Sequence, residues 1–64
     1  MKLQVSDMVC GGCVEIITQA IMAVDPGAKV VADLATKTLN LETQISGEKV
    51  EAAIAKAGYR AVLV

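Results

Sequence analysis

The sequence predicts an α+β fold: a four-stranded antiparallel sheet with two helices packed on one face. Three observations carry that prediction. Segments with period-two apolar alternation and segments with a period-3.6 apolar stripe follow one another in the order β-α-β-β-α-β. Turn and cap residues fall at the boundaries between them. The second and third strands are joined by the short segment Ala35-Thr36-Lys37, close enough to pair as a hairpin.

Each element has its own warrant. Lys2-Leu3-Gln4-Val5-Ser6 alternates polar and apolar, a half-buried strand with Leu3 and Val5 inward. Asp7 to Gly12 reads as loop, because Gly-Gly interrupts regular structure. From Cys13 a helix begins, with Ile17, Ala20, Ile21 and Val24 at the spacing of one face and Glu15, Thr18 and Gln19 on the other. Asp25-Pro26-Gly27 ends it, since proline disfavours helical geometry in the residue before it. Ala28 to Leu34 reads as a second strand, Val30 and Ala32 inward. In Thr38-Leu39-Asn40-Leu41-Glu42 the inward residues are Leu39 and Leu41. Ser46 is a good N-cap, and Glu48 in the first turn suits the helix dipole. Val50, Ala53, Ile54 and Ala57 form the second apolar stripe, and Gly58 stops that helix. Arg60 to Val64 makes a final short strand. Two split β-α-β units of this kind make a ferredoxin-like fold.

Composition narrows the function. The chain has 64 residues, enough for a single domain over 1–64, and such a chain buries only about 60% of the surface it exposes unfolded. Its hydrophobic fraction is 55%, with Tyr59 the only aromatic and no Trp or Phe. These short aliphatic side chains fill a thin layer between a sheet and two helices. A net charge of −1 with scattered charges, and no aromatic interleaving, gives nucleic acid nothing to bind. No apolar run approaches the roughly 18 residues of a membrane span. The N-terminus lacks the apolar stretch and cleavage site of a signal peptide. The chain is therefore expected in the cytoplasm, where thiols stay reduced.

The chemistry concentrates in Met8-Val9-Cys10-Gly11-Gly12-Cys13, which holds both cysteines in a Cys-x-x-Cys spacing. A loop this small staples no fold, so the pair is expected to serve metal binding or redox chemistry. Cys13 opens the first helix, where unpaired N–H groups and the positive dipole end favour a thiolate. Gly11 and Gly12 are expected to let the backbone bend so that both sulfurs converge, and to leave space for a partner's loop.

Met8-x-Cys10-x-x-Cys13 after a first strand, Ile17, Ala20 and Ile21 on the first helix, Asp33-Leu34 ending the second strand, and Gly58-Tyr59 after the second helix together resemble the heavy-metal-associated domain. That family includes small copper chaperones, amino-terminal domains of metal-exporting P-type ATPases, and mercury-binding proteins. The resemblance covers the whole chain and is closest to a small bacterial copper chaperone. It implies that Cys10 and Cys13 bind Cu(I) as a near-linear dithiolate and pass it to a partner carrying the same motif. It implies also that Met8 packs beneath the loop and that Tyr59 lies close to the site. Two features depart from the family's pattern. Asp7 stands where the family commonly has glycine, and there is no histidine near the site to tune release.

Donor chemistry agrees with that implication. Two thiolates are a soft set that selects Cu(I) or a comparably thiophilic ion. With two cysteines and no histidine, one chain cannot build the closed four-ligand site of structural zinc. A low coordination number leaves room for an incoming thiolate, so copper can move through a three-sulfur intermediate without being released.

The reading is therefore a non-enzymatic Cu(I) chaperone delivering to the metal-binding domain of a copper-transporting P-type ATPase. It is monomeric when metal-free, and four thiolates from two chains allow a copper-bridged dimer. Alternatives are a domain or chaperone for Zn, Cd or Hg, with Asp7 as a carboxylate ligand if the ion is zinc, and a Cys-x-x-Cys thiol oxidoreductase. Val9, where zinc-handling relatives tend to carry an acidic residue, favours copper. A start at Met1 and a compact end at Val64 favour a free protein over an excised ATPase domain. Glu15, Lys49 and Lys56 are solvated charges able to steer docking.

Overall fold

A computed structural model describes the whole chain, Met1–Val64. Its elements are β1 (Lys2–Gln4), α1 (Gly11–Val24), β2 (Lys29–Asp33), β3 (Thr38–Glu42), α2 (Gly47–Lys56) and β4 (Val62–Leu63). The strands form one antiparallel sheet in the order β2-β3-β1-β4, with both helices on one face. This is the ferredoxin-like arrangement that the order of elements predicts.

Registers follow the alternation in the sequence. Leu3 sits between Leu39 and Leu63, and Val30 lies opposite Leu41. On the face beneath the helices, Leu3, Val5, Leu39 and Leu41 meet Ile17 and Ile21 of α1 and Val50 and Ile54 of α2. Val30 and Ala32 pack against this cluster but stay half-buried. Truncating Ile17, Ile21, Leu39 or Ile54 to alanine costs about 2–5 kcal/mol. That is a large share of the roughly 5–15 kcal/mol that holds a domain folded. The buried Thr38 hydroxyl pairs with the Thr36 hydroxyl at 2.7 Å, so the core contains no unsatisfied side-chain polar atom.

Several boundaries differ from the expected ones. α1 begins at Gly11 rather than Cys13, so Gly11 and Gly12 belong to its first turn and not to the loop. A glycine weakens a helix most in the interior; at the first two positions its N–H has no intrahelical partner to lose. Val24 is 48% exposed and Ala20 half-buried, so the inward stripe of α1 is Cys13, Ile17 and Ile21. β1 ends at Gln4, although the Val5 N–H still donates to the Lys37 carbonyl at 2.8 Å. β2 is confined to Lys29–Asp33, and Ala28 is buried in the turn before it. β4 contracts to Val62–Leu63 because it pairs with β1 alone, on the outer side.

Two turns hold the frame. At the end of α1, the Asp25 carboxylate accepts from the Thr43 hydroxyl and from the Gln44 and Gly27 amides. These donors hold Asp25 below the usual carboxylate range, the Thr43 hydroxyl most strongly. At the start of α2, Ser46 accepts from the Lys49 amide at 3.3 Å and Glu48 occupies the first turn, as the sequence predicts. No helix is long and apolar enough to cross a membrane.

Candidate metal centre

The site forms where the chain leaves β1 and enters α1. Met8 turns its side chain fully into the core and is 0% exposed, and its N–H donates to the Val5 carbonyl at 3.0 Å. With Met8 anchored, Val9 and Cys10 are displayed outside. Cys10 is the N-cap of α1, with extended backbone (φ −151°, ψ 168°), and its side chain makes no capping bond. No acidic residue lies in the first turn either. The positive end of α1 is therefore left without an oxygen acceptor, and the groups standing there are the two thiols.

Cys10 Sγ and Cys13 Sγ lie 3.1 Å apart. Cys10 is exposed and Cys13 is buried, so one sulfur is anchored and the other is free to swing. The Cys13 thiol is lowered to about 7, first by the Tyr59 hydroxyl and then by Cys10, with the Val9 and Cys10 amides adding to the effect and burial opposing it. The Tyr59 hydroxyl is raised in return, chiefly by Cys13, with smaller contributions from burial and from the charges of Cys10 and Asp7.

Tyr59 is placed by the end of α2. The Gly58 N–H bonds to the Ala55 carbonyl at 3.0 Å and the Tyr59 N–H to the Ile54 carbonyl at 3.2 Å, with Gly58 at φ +96°. This is a Schellman motif. It reverses the chain so that Tyr59 packs half-buried against the core beside Cys13.

The structure thus brings Met8, Cys10, Gly11, Gly12, Cys13 and Tyr59 to one end of the molecule. The reason for the glycines changes: neither Gly11 nor Gly12 has positive φ, so left-handed backbone freedom is not what the site uses. A Cβ at Gly11 would meet nothing within 4 Å, and one at Gly12 only Cys10 Sγ at 3.8 Å. The space they keep clear lies outside this chain. No group of three or more His, Cys, Asp or Glu side chains gathers anywhere in the molecule, so Asp7 does not join the thiols as a third donor.

The sequence singles out Val9 for its lack of charge, but not the second exposed apolar residue of the surround. Val9 is 66% exposed, and Ile16, one turn along from Gly12, is 46% exposed. The signal was present, since Ile16 lies off the inward stripe of α1.

Residues 2–60 match the heavy-metal-associated domain. The chain belongs to that family. Among solved structures of similar fold, a trimeric Cu1 form of the copper chaperone Atx1 from Synechocystis PCC6803 superposes with a TM-score of 0.95. It is 32% identical, with 97% of this chain and 98% of that chain covered. A gold binding protein is 38% identical, with a TM-score of 0.91 and 95% and 94% coverage. Atu1203 of Agrobacterium tumefaciens is 35% identical, with a TM-score of 0.85 and 94% of each chain covered. No curated protein sequence matches. The heavy-metal-associated domain here closely resembles the copper chaperones of this group. None of these relatives carries an enzyme's name.

Proposed function

We propose that this heavy-metal-associated domain is a cytoplasmic Cu(I) chaperone that passes copper to the metal-binding domain of a P-type ATPase. One observation carries the reading: two thiols, one anchored and one exposed, stand 3.1 Å apart at an uncapped helix start with no third donor. Such a site suits an ion content with two soft ligands. On a metal–sulfur length of about 2.3 Å, borrowed from zinc thiolates, a linear pair needs its sulfurs about 4.6 Å apart. Rotation of the exposed Cys10 supplies that spread while Cys13 stays in place. Because the Cys13 thiol is lowered to about 7, a substantial fraction of it is thiolate near neutral pH, and the thiolate is the form that binds the metal. A partner's thiolate can then approach from the side kept open by Gly11 and Gly12 and take the ion by ligand exchange. The similarity to copper chaperones supports the choice of metal.

The thiol-exchange alternative fits less well, because the thiol of lowered pKa is the buried one, away from an incoming disulfide. The deciding experiment is a competitive Cu(I) titration of the reduced protein against a chromophoric chelator, with a parallel Zn(II) titration. One Cu(I) per chain, held far more tightly than Zn(II) and lost in Cys10→Ser, is the expected result. Zn(II) binding of equal strength would overturn it.

A further inference from the structure

β2, Lys29–Asp33, is a free edge of the sheet. The opposite edge, β4, is two residues long and is protected by its shortness. Other edges are blunted by proline, bulges or inward-pointing charge. β2 has none of these: its five residues, Lys-Val-Val-Ala-Asp, pair with β3 in an unbroken register, and its only edge charges are Lys29 and Asp33 at the two ends, of opposite sign.

The register also says which backbone groups are free. The Val5 N–H donates to the Lys37 carbonyl and the Leu41 N–H to the Met1 carbonyl, so Lys37, Leu39 and Leu41 turn their backbone groups toward β1. Antiparallel alternation then turns Thr38, Asn40 and Glu42 toward β2, where they face Asp33, Val31 and Lys29. Val30 and Ala32 are left with N–H and C=O groups directed out of the edge.

We propose that this edge docks a second copy of the chain, β2 against β2, antiparallel about Val31. Val30 and the second copy's Ala32 exchange backbone hydrogen bonds, and Ala32 and the second copy's Val30 do the same. On the solvent face, where Lys29, Val31 and Asp33 are all exposed, this register sets Lys29 opposite the second copy's Asp33 at both ends. Val31, 64% exposed, meets its own counterpart in the middle. Asp33 uses only Oδ1 for its turn bonds to the Ala35 and Thr36 amides, which leaves Oδ2 for the lysine. A slip of two residues loses both ion pairs, and parallel pairing sets like charges together. The charge pattern is therefore complementary to itself in one register.

This association is independent of metal, and it departs from the strict metal-free monomer that the sequence reading expects. Gln4, Thr38, Asp33 and Val62 share one end of the sheet, the end from which the chain runs on to Cys10. Two-fold pairing sends the two thiol sites to opposite ends of an eight-stranded sheet, so neither is covered. The contact is small, and the dimer is correspondingly weak, in the roughly high-micromolar to millimolar range.

The test follows the reduced, metal-free protein with a chelator present, by sedimentation equilibrium and amide chemical shifts between roughly 20 μM and 2 mM. The expected result is a monomer–dimer equilibrium with shifts centred on Val30 and Ala32. K29E and D33K should each weaken it by about tenfold or more, because like charges then face across the axis. Mixing the two variants should restore association, since each supplies what the other repels. Ala32→Pro, which deletes an outward N–H at an edge that tolerates proline, should abolish it, and it decides the matter if D33K unfolds through its lost turn bonds. A monomer throughout, a dimer indifferent to these changes, or one whose shifts fall on Val9 to Cys13 would overturn the proposal.

Discussion

The Tyr59 hydroxyl faces the Cys13 thiol and is the largest single influence lowering it, to about 7. The two residues belong to opposite halves of the chain, and the Schellman turn at Gly58 is what brings them together. The unfolded thiol has its ordinary value near 8.5, so folding depresses it. Stability from this coupling is therefore complete above the unfolded value and is lost as pH falls through about 7. Tyr59 is shifted the other way, and its own titration acts only above its ordinary value near 10.

Removing the hydroxyl tests this directly. Tyr59→Phe should move the Cys13 titration upward, seen in ultraviolet thiolate absorbance, and slow alkylation at neutral pH by about fivefold. It should also flatten the rise in denaturant stability of the metal-free protein between about pH 7 and 9. An unchanged titration would mean that the helix start alone sets the thiol.

Met8 separates support from ligation. It is 0% exposed within the core, so Met8→Ala should destabilise the fold by about 2–5 kcal/mol. Met8→Leu, which conserves volume, should cost less than about 1.5 kcal/mol and leave Cu(I) affinity unchanged in the chelator competition. A large loss of affinity in the leucine variant would make Met8 a ligand.

Two positive-φ positions make an opposed pair. Gly58, at φ +96°, has open space around it, so Gly58→Ala meets only backbone strain, about 1–2 kcal/mol. Lys37 sits at φ 56° without being glycine, and Lys37→Gly should relieve strain of about the same size. Thermal melts of both variants check the signs. Gly58→Ala should in addition raise the Cys13 titration, because it displaces Tyr59; Lys37→Gly should not.

Much of this molecule is legible in the sequence because its signals are local. Leu3, Leu39 and Leu41 declare their inward faces by alternation, and Ile17, Ile21, Val50 and Ile54 by helical spacing. Ser46 marks the start of α2 and Gly58 its end. The misread start of α1 has an equally plain cause: Gly11-Gly12 reads as a break when local preference is weighed alone. The helix reaches back to them because the buried Cys13, Ile17 and Ile21 hold the turns that follow. Val24 was misplaced for a related reason, since the core ends one turn before the apolar pattern does.

The order of elements, the sheet-facing residues and the two thiols as the place where chemistry concentrates are all legible in the chain alone. Each follows from neighbours a few residues apart. Tertiary structure alone decided that Cys13 is anchored while Cys10 is free, that Tyr59 polarises the anchored thiol, and that no carboxylate joins them. It also decided that β2 rather than β4 presents a full-length open edge. These depend on which distant segments the packed core brings together, and no local pattern encodes a distance between residues 13 and 59.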